Sequence, residues 1–126
     1  MSDTWDSFIF STPNNEDYLE SLDHYFNEGY PESVVENMLD TCLTVTDGDA
    51  SEADLENAAL AATITAIWLG APYTIAEIVD QYPWIKNIGL EVDDELYDAA
   101  ATVLERAAEH WADEEFEFDV FTESLG

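Results

Sequence analysis

The segment SEADLENAALAATITAIWLGAP, running from Ser51 to Pro72, decides the fold. Ser51 stands where a helix cap belongs, and Asp54 three residues later completes the pattern of a capping box. After Glu56 the character changes, and nothing from Asn57 to Ala76 is charged. Ala58, Ala59, Leu60, Ala61, Ala62, Ile64, Ala66, Ile67, Trp68 and Leu69 leave almost no polar face. A helix that is apolar nearly all round is a buried one. Its alanines let neighbouring helices approach closely, and Gly70-Ala71-Pro72 stops it. The apolar run from Ala58 to Ala71 is too short to cross a bilayer and contains Thr63 and Thr65.

A buried helix needs others to cover it, and the flanking sequence supplies them. From Glu16 to Glu28 the apolar positions Tyr18, Leu19, Leu22, Tyr25 and Phe26 keep a helical period that ends at Gly29. Pro13-Asn14-Asn15 precedes it as a turn and cap. Pro31 opens a second helix with Val34, Val35, Met38, Leu39, Cys42 and Leu43 as its inner stripe. Thr74 and Glu77 repeat the capping pattern ahead of a short helix through Asp80, and Pro83 and Gly89 bracket a loop containing Trp84 and Ile85. The last long helix runs from about Asp93 to Ala112 on Leu96, Ala100, Val103, Leu104, Ala107, Ala108 and Trp111. Trp5 to Thr12 reads as an ordered loop or short strand, and Glu115 to Phe121 alternates like a strand, with a final helical turn as the competing reading. The expected fold class is mainly α: a compact bundle around a buried Ala-rich central helix, one acidic domain over residues 1–126, with a short strand or irregular segment at each end.

The charge is one-sided. The 126 residues include 30 Asp and Glu against 2 Lys and Arg, for a formal net charge of −28. Such a chain offers almost no cations to a phosphate backbone or to an anionic membrane surface, so neither direct nucleic-acid binding nor membrane docking is expected. Yet 47% of residues are hydrophobic and 13% aromatic, more than a disordered acidic tail carries. The lone Cys42 excludes an internal disulfide and reads as a small buried hydrophobe. The first residues lack the basic start and apolar run of a signal peptide, so the expected location is the cytoplasm, here of a bacterial host cell. Lys86 and Arg106, the only two strong bases, are expected to neutralise nearby acids.

The acids recur at helical spacing. Glu16, Glu20 and Asp23 lie opposite the first apolar stripe; Glu32, Glu36 and Asp40 form an i, i+4, i+8 line; Asp94, Glu95, Asp98, Glu105 and Glu109 follow the last long helix. Asp113, Glu114, Glu115, Glu117 and Asp119 extend the series. Such neighbours have Cβ atoms about 5–6 Å apart, and like charges there cost a few tenths of a kcal/mol per pair. Duplex DNA carries one charge per about 1.7 Å, or about 20 over the roughly 35 Å diameter of a domain this size. Carboxylates accept the same Arg and Lys donors as phosphates. The expected function is therefore a DNA mimic. These acids would form its partner-binding surface, and a basic nucleic-acid-binding protein or complex (a CRISPR effector, restriction enzyme or nuclease) would be its partner. It would act as a monomer or homodimer, by electrostatic and steric blockade without catalysis. An immunity protein against a basic nuclease toxin and a halophile's acidic protein are the alternatives.

In its acid-rich, cation-poor composition the chain resembles the DNA-mimic inhibitors that phages and mobile elements use against restriction enzymes and CRISPR complexes. That resemblance implies anti-restriction or anti-CRISPR activity and assigns no site residue. A second resemblance lies in the order Trp5, Phe8 or Phe10, Asn14-Asn15, then the Ala-rich helix ending in Gly70-Ala71-Pro72, then Ala99 to Trp111. This order is similar to that of the bacterial domain family DUF4259, with Thr4 and Asp6 where that family has glycines. It implies an α-helical domain with no established activity. Other chemistry lacks its residues. Asp47-Gly48-Asp49 hints at a calcium loop, but Glu52 and Ala58 occupy the positions that need Gly and Glu. His24 and His110 follow Ser21 and Ala107 where a di-iron bundle needs Glu, and no Gly-rich phosphate loop exists. No catalytic residue, metal or cofactor is expected.

Overall fold

The structure is a computed structural model that describes residues 4–48, 51–71, 73–86, 88–89, 92–114, 116 and 119–125. Among them the chain forms seven α-helices: α1 (Trp5–Ser11), α2 (Pro13–Asn27), α3 (Pro31–Thr46), α4 (Glu52–Trp68), α5 (Ala76–Gln81), α6 (Asp94–His110) and α7 (Asp119–Leu125). Two short 3-10 turns, Pro83–Ile85 and Ala112–Glu114, complete it. The fold is mainly α, as the period of the apolar residues requires.

The uncharged run becomes α4, and every residue from Ala58 to Ile67 is buried. The Ser51 hydroxyl accepts from the Asp54 amide while the Asp54 carboxylate accepts from the Ser51 amide, so the capping box is made in full. At the other end Gly70 sits at φ 102°, with its amide donating to Ile67 and that of Ala71 donating to Ala66. This pair of bonds is a Schellman motif, and its left-handed residue favours glycine. Gly29 closes α2 in the same way, its amide bonding Phe26 and that of Tyr30 bonding Tyr25. The two threonines inside α4 return their hydroxyls to the carbonyls of Ala59 and Ala61 at 2.8 Å, so no hydroxyl is buried without a partner there.

The reason α4 has no polar face is its surroundings. It is touched by α1, α2, α3, α6 and α7, and these succeed one another around it, α1 on α2, α2 on α3, α3 on α6, α6 on α7. Aromatic rings join α1 to the far end of α6 and to Phe116 beyond it. The Trp5 ring lies 5.3 Å from that of Trp111, and Phe8 stacks on Phe116 at 4.9 Å. The indole N–H of Trp5 donates to the Thr63 hydroxyl in the middle of α4, at 2.9 Å.

The ends differ from the sequence expectation. Trp5–Ser11 is a helix, capped by the Thr4 hydroxyl, and neither a loop nor a strand. A strand here would have had no partner strand among the described residues, leaving its backbone groups unpaired. Buried Trp5, Asp6, Ile9 and Phe10 are spaced as one helical face. The α2 cap is Thr12, with Pro13 as the first helical residue, so Asn14 and Asn15 lie inside the helix. Buried Asn15 donates to the carbonyls of Ile9 and Glu56 and ties α1, α2 and α4 together. Thr74 does not cap α5, because its hydroxyl is bonded to Asp6 and Thr4 instead. The tail is helical over Asp119–Leu125, with Phe121 buried against the core. Residues 115, 117 and 118, which carry most of the alternating pattern, lie outside the described residues.

Cys42 sits between α3 and α4, its sulfur 3.8 Å from the Ala58 carbonyl, and burial pushes its thiol up to about 12. Burial also raises the Tyr18 phenol, which lies 3.0 Å from both Asn37 Oδ1 and Thr41 Oγ1. Both groups keep their protons in the fold and lose them on unfolding once the pH passes their ordinary values. Stability should therefore fall from about pH 9 upward, by up to about 1.4 kcal/mol per pH unit for each group titrating. Urea unfolding across that range checks this, and Cys42→Ala should flatten the first part of the decline.

Candidate acidic interface

The wrap around α4 places the acid-bearing helices side by side, with α3 between α2 and α6. Their apolar stripes face α4, so their acids face out. Glu16 and Glu20 on α2 are exposed, as are Glu32, Glu36 and Asp40 on α3. Asp94, Glu95, Asp98, Glu105 and Glu109 on α6 are exposed too, and Asp113 and Glu114 continue the series on the following turn. Three lines of carboxylates thus run along three adjacent helices. Glu115 and Glu117 lie outside the described residues, as does the side chain of Asp119 on α7.

Asp23 stands apart from this group. One of its oxygens accepts the Trp84 indole at 3.1 Å and the other the Asn27 amide at 3.0 Å. It anchors the 3-10 turn that carries buried Trp84 and Ile85, whose backbone in turn accepts the Trp68 indole. Two further acids have structural work: Asp6, which sequence spacing did not reveal, and Asp54, whose capping role it did. Asp6, 1% exposed, accepts from the amide and hydroxyl of Thr74 and fixes α1 to the segment before α5. Asp54 closes the α4 capping box.

Countercharge is scarce. Among the described residues the ion pairs are His24 to Glu28 at 3.9 Å and His110 to Glu52 at 3.6 Å, and neither involves an acid of the three lines. Arg106 has no acid in ion-pair range among the described residues. Its guanidinium donates to the Val45 carbonyl at 2.8 Å and reaches that of Thr46 at 3.5 Å. The last turn of α3 has no base of its own, and its free carbonyls and dipole attract the cation. Arg106→Ala should lower the urea midpoint by an amount worth about 1 kcal/mol. Lys86 is exposed, with no acid in ion-pair range among the described residues.

Two depressions flank α2. One of about 230 Å³ lies between α2 and α5 and includes Glu16, Glu20 and Tyr82. A more open one of about 490 Å³ is lined by Asp17, Glu20, Ser21, His24 and Tyr25. No three His, Cys, Asp or Glu side chains converge as a metal-binding group among the described residues, and no helix there is long and apolar enough to cross a membrane. No family model, curated protein or solved structure matches the chain.

Proposed function

We propose that this protein is a DNA-mimic inhibitor, an anti-CRISPR or anti-restriction protein that occupies the basic nucleic-acid-binding groove of a defence complex. The observation that carries the reading is the juxtaposition of three exposed acid lines on α2, α3 and α6, without ion-pair partners among the described residues. A fold selected for stability alone would place Lys or Arg four residues after each Glu. Here acid follows acid at a cost to the fold, and a basic partner is what would turn that cost into binding energy. Action is by occupation: the carboxylates take the Arg and Lys donors that otherwise hold phosphates, and the helical body blocks the groove. The partner, a CRISPR effector, restriction enzyme or nuclease, would be met in the bacterial cytoplasm.

The test is capture from a bacterial lysate containing such complexes, followed by affinity measurement over a salt series. Binding should weaken by at least about tenfold between low and moderately high salt, since association depends on exposed charge. The captured complex should also lose its DNA. Flat salt dependence, or a captured complex that still holds DNA, would overturn the proposal.

A further inference from the structure

The groove between α2 and α5 combines three chemistries. Its floor is apolar, made by Phe10 and Leu19, at 1% and 2% exposure, with half-buried Ile78 beside them. Its rim carries Glu16 and Glu20, one turn apart on α2 and without hydrogen-bond or ion-pair partners among the described residues. Tyr82 also lines it, and its hydroxyl accepts from the Gln81 amide at 3.3 Å. The volume, about 230 Å³, is below the roughly 300–1,000 Å³ of drug-sized ligand sites. It suits one extended side chain.

We propose that this groove is the seat of a single arginine side chain from a basic partner protein. The identification of that partner as basic rests on the function proposed above; the groove's choice of arginine rests on its own lining. An arginine stem lies along apolar surface while its head stays polar. Two carboxylates at the rim accept the guanidinium fork, and a tyrosine face stacks on its plane. Lysine, a strongly hydrated point charge, gains less from the ring. Burial, then Glu20, Asp23 and Glu16 in that order, raise the Tyr82 phenol, which places the ring inside the field of these acids. Asp23 contributes field alone, since both its oxygens are taken. The chain's own bases do not fill the groove: Arg106 is held at the end of α3, and Lys86 is not part of the lining.

Isotope-labelled protein titrated with N-acetyl-arginine methylamide at physiological ionic strength tests this by NMR. The Leu19 and Ile78 methyl signals and the Tyr82 ring signals should shift and saturate. The lysine analogue should bind at least about threefold more weakly. Glu16→Gln with Glu20→Gln, and separately Tyr82→Leu, should each weaken binding about fivefold or more. Tyr82→Phe, which keeps the ring, should bind like the wild type, as should Glu32→Gln with Glu36→Gln on α3. The proposal is overturned by unsaturated shifts spread over α3 and α6, by equal binding of lysine, or by indifference to the groove substitutions in variants whose circular dichroism is native. Saturable arginine binding without capture of any basic protein would uphold the groove and remove the DNA-mimic reading; the converse would remove the groove alone.

Discussion

Replacing Glu36, Asp98 and Glu109 together by lysine should abolish inhibition while making the protein more stable. Each substitution puts a cation into one of the acid stretches on α3 and α6, and none of the three side chains has a hydrogen bond or ion pair to lose among the described residues. Three reversals of two units each take the formal charge from −28 to −22. On the folding side, four repulsive i, i+4 pairs become attractive: Glu32 with position 36, position 36 with Asp40, Asp94 with position 98, and Glu105 with position 109. At about 0.2–0.5 kcal/mol for each pair, the gain should be about 1 kcal/mol or more. On the binding side, three positive charges meet a cationic groove. Like-charge contact costs several kcal/mol, so affinity for the protein captured by the wild type should drop at least about a hundredfold. A thermal melt and a binding isotherm on the same sample read both effects. Single reversals should each cost far less affinity, because the charge is distributed. The opposite signs are the diagnostic feature: if the acids merely kept the protein soluble, the triple variant would gain stability with no loss of binding. A fall in both would mean that these side chains support the fold.

The parts of this molecule visible from sequence are those governed by local period. The absence of charge from Asn57 to Ala76 exposes α4 as the centre, because only a helix enclosed on all sides can do without a polar face. The acid lines are equally local, since i, i+4 spacing fixes the face. What spacing does not contain is adjacency. That α3 lies between α2 and α6, which brings the three acid-bearing helices side by side, depends on contacts between helices far apart in the chain. The same limit hides the work of particular acids. Asp23 fits its line as well as Glu20 does, yet it is occupied by an indole 61 residues away. Asp6 meets Thr74 across 68 residues, and that contact also withdraws Thr74 from the cap it resembles. Arg106 looks like a neutraliser of acids until the bare carbonyls at the end of α3 are seen beside it. The grooved face between α2 and α5 is a further case, since its floor joins Phe10 to Ile78. The opening helix was unreadable for a different reason: seven residues hold fewer than two full turns, too few for a helical period to stand out from alternation.

Trp5→Ala should cost about 3–5 kcal/mol, the largest loss of stability expected from any single truncation here. The side chain is 1% exposed and closes the wrap, touching the rings of Phe8, Trp111 and Phe116 on one side and bonding Thr63 of α4 on the other. Its removal opens a cavity where α1, the end of α6 and Phe116 meet the central helix. It also takes the indole donor from Thr63, although that hydroxyl keeps its own bond to the Ala59 carbonyl. The hydrogen bond can be separated from the packing. Thr63→Val preserves shape but removes the hydroxyl that accepts the buried indole N–H at 2.9 Å, and should cost about 1–3 kcal/mol. Trp5→Phe removes the donor and part of the ring. Adding Thr63→Val to it should then cost much less than in the wild type, since both polar partners are gone. Urea unfolding of the four proteins gives the coupling directly. Against a total stability of roughly 5–15 kcal/mol, loss of this one ring leaves a domain close to its folding threshold. A cost below about 1 kcal/mol for Trp5→Ala would be that of an ordinary surface site, and would mean that α1 does not close the bundle around α4.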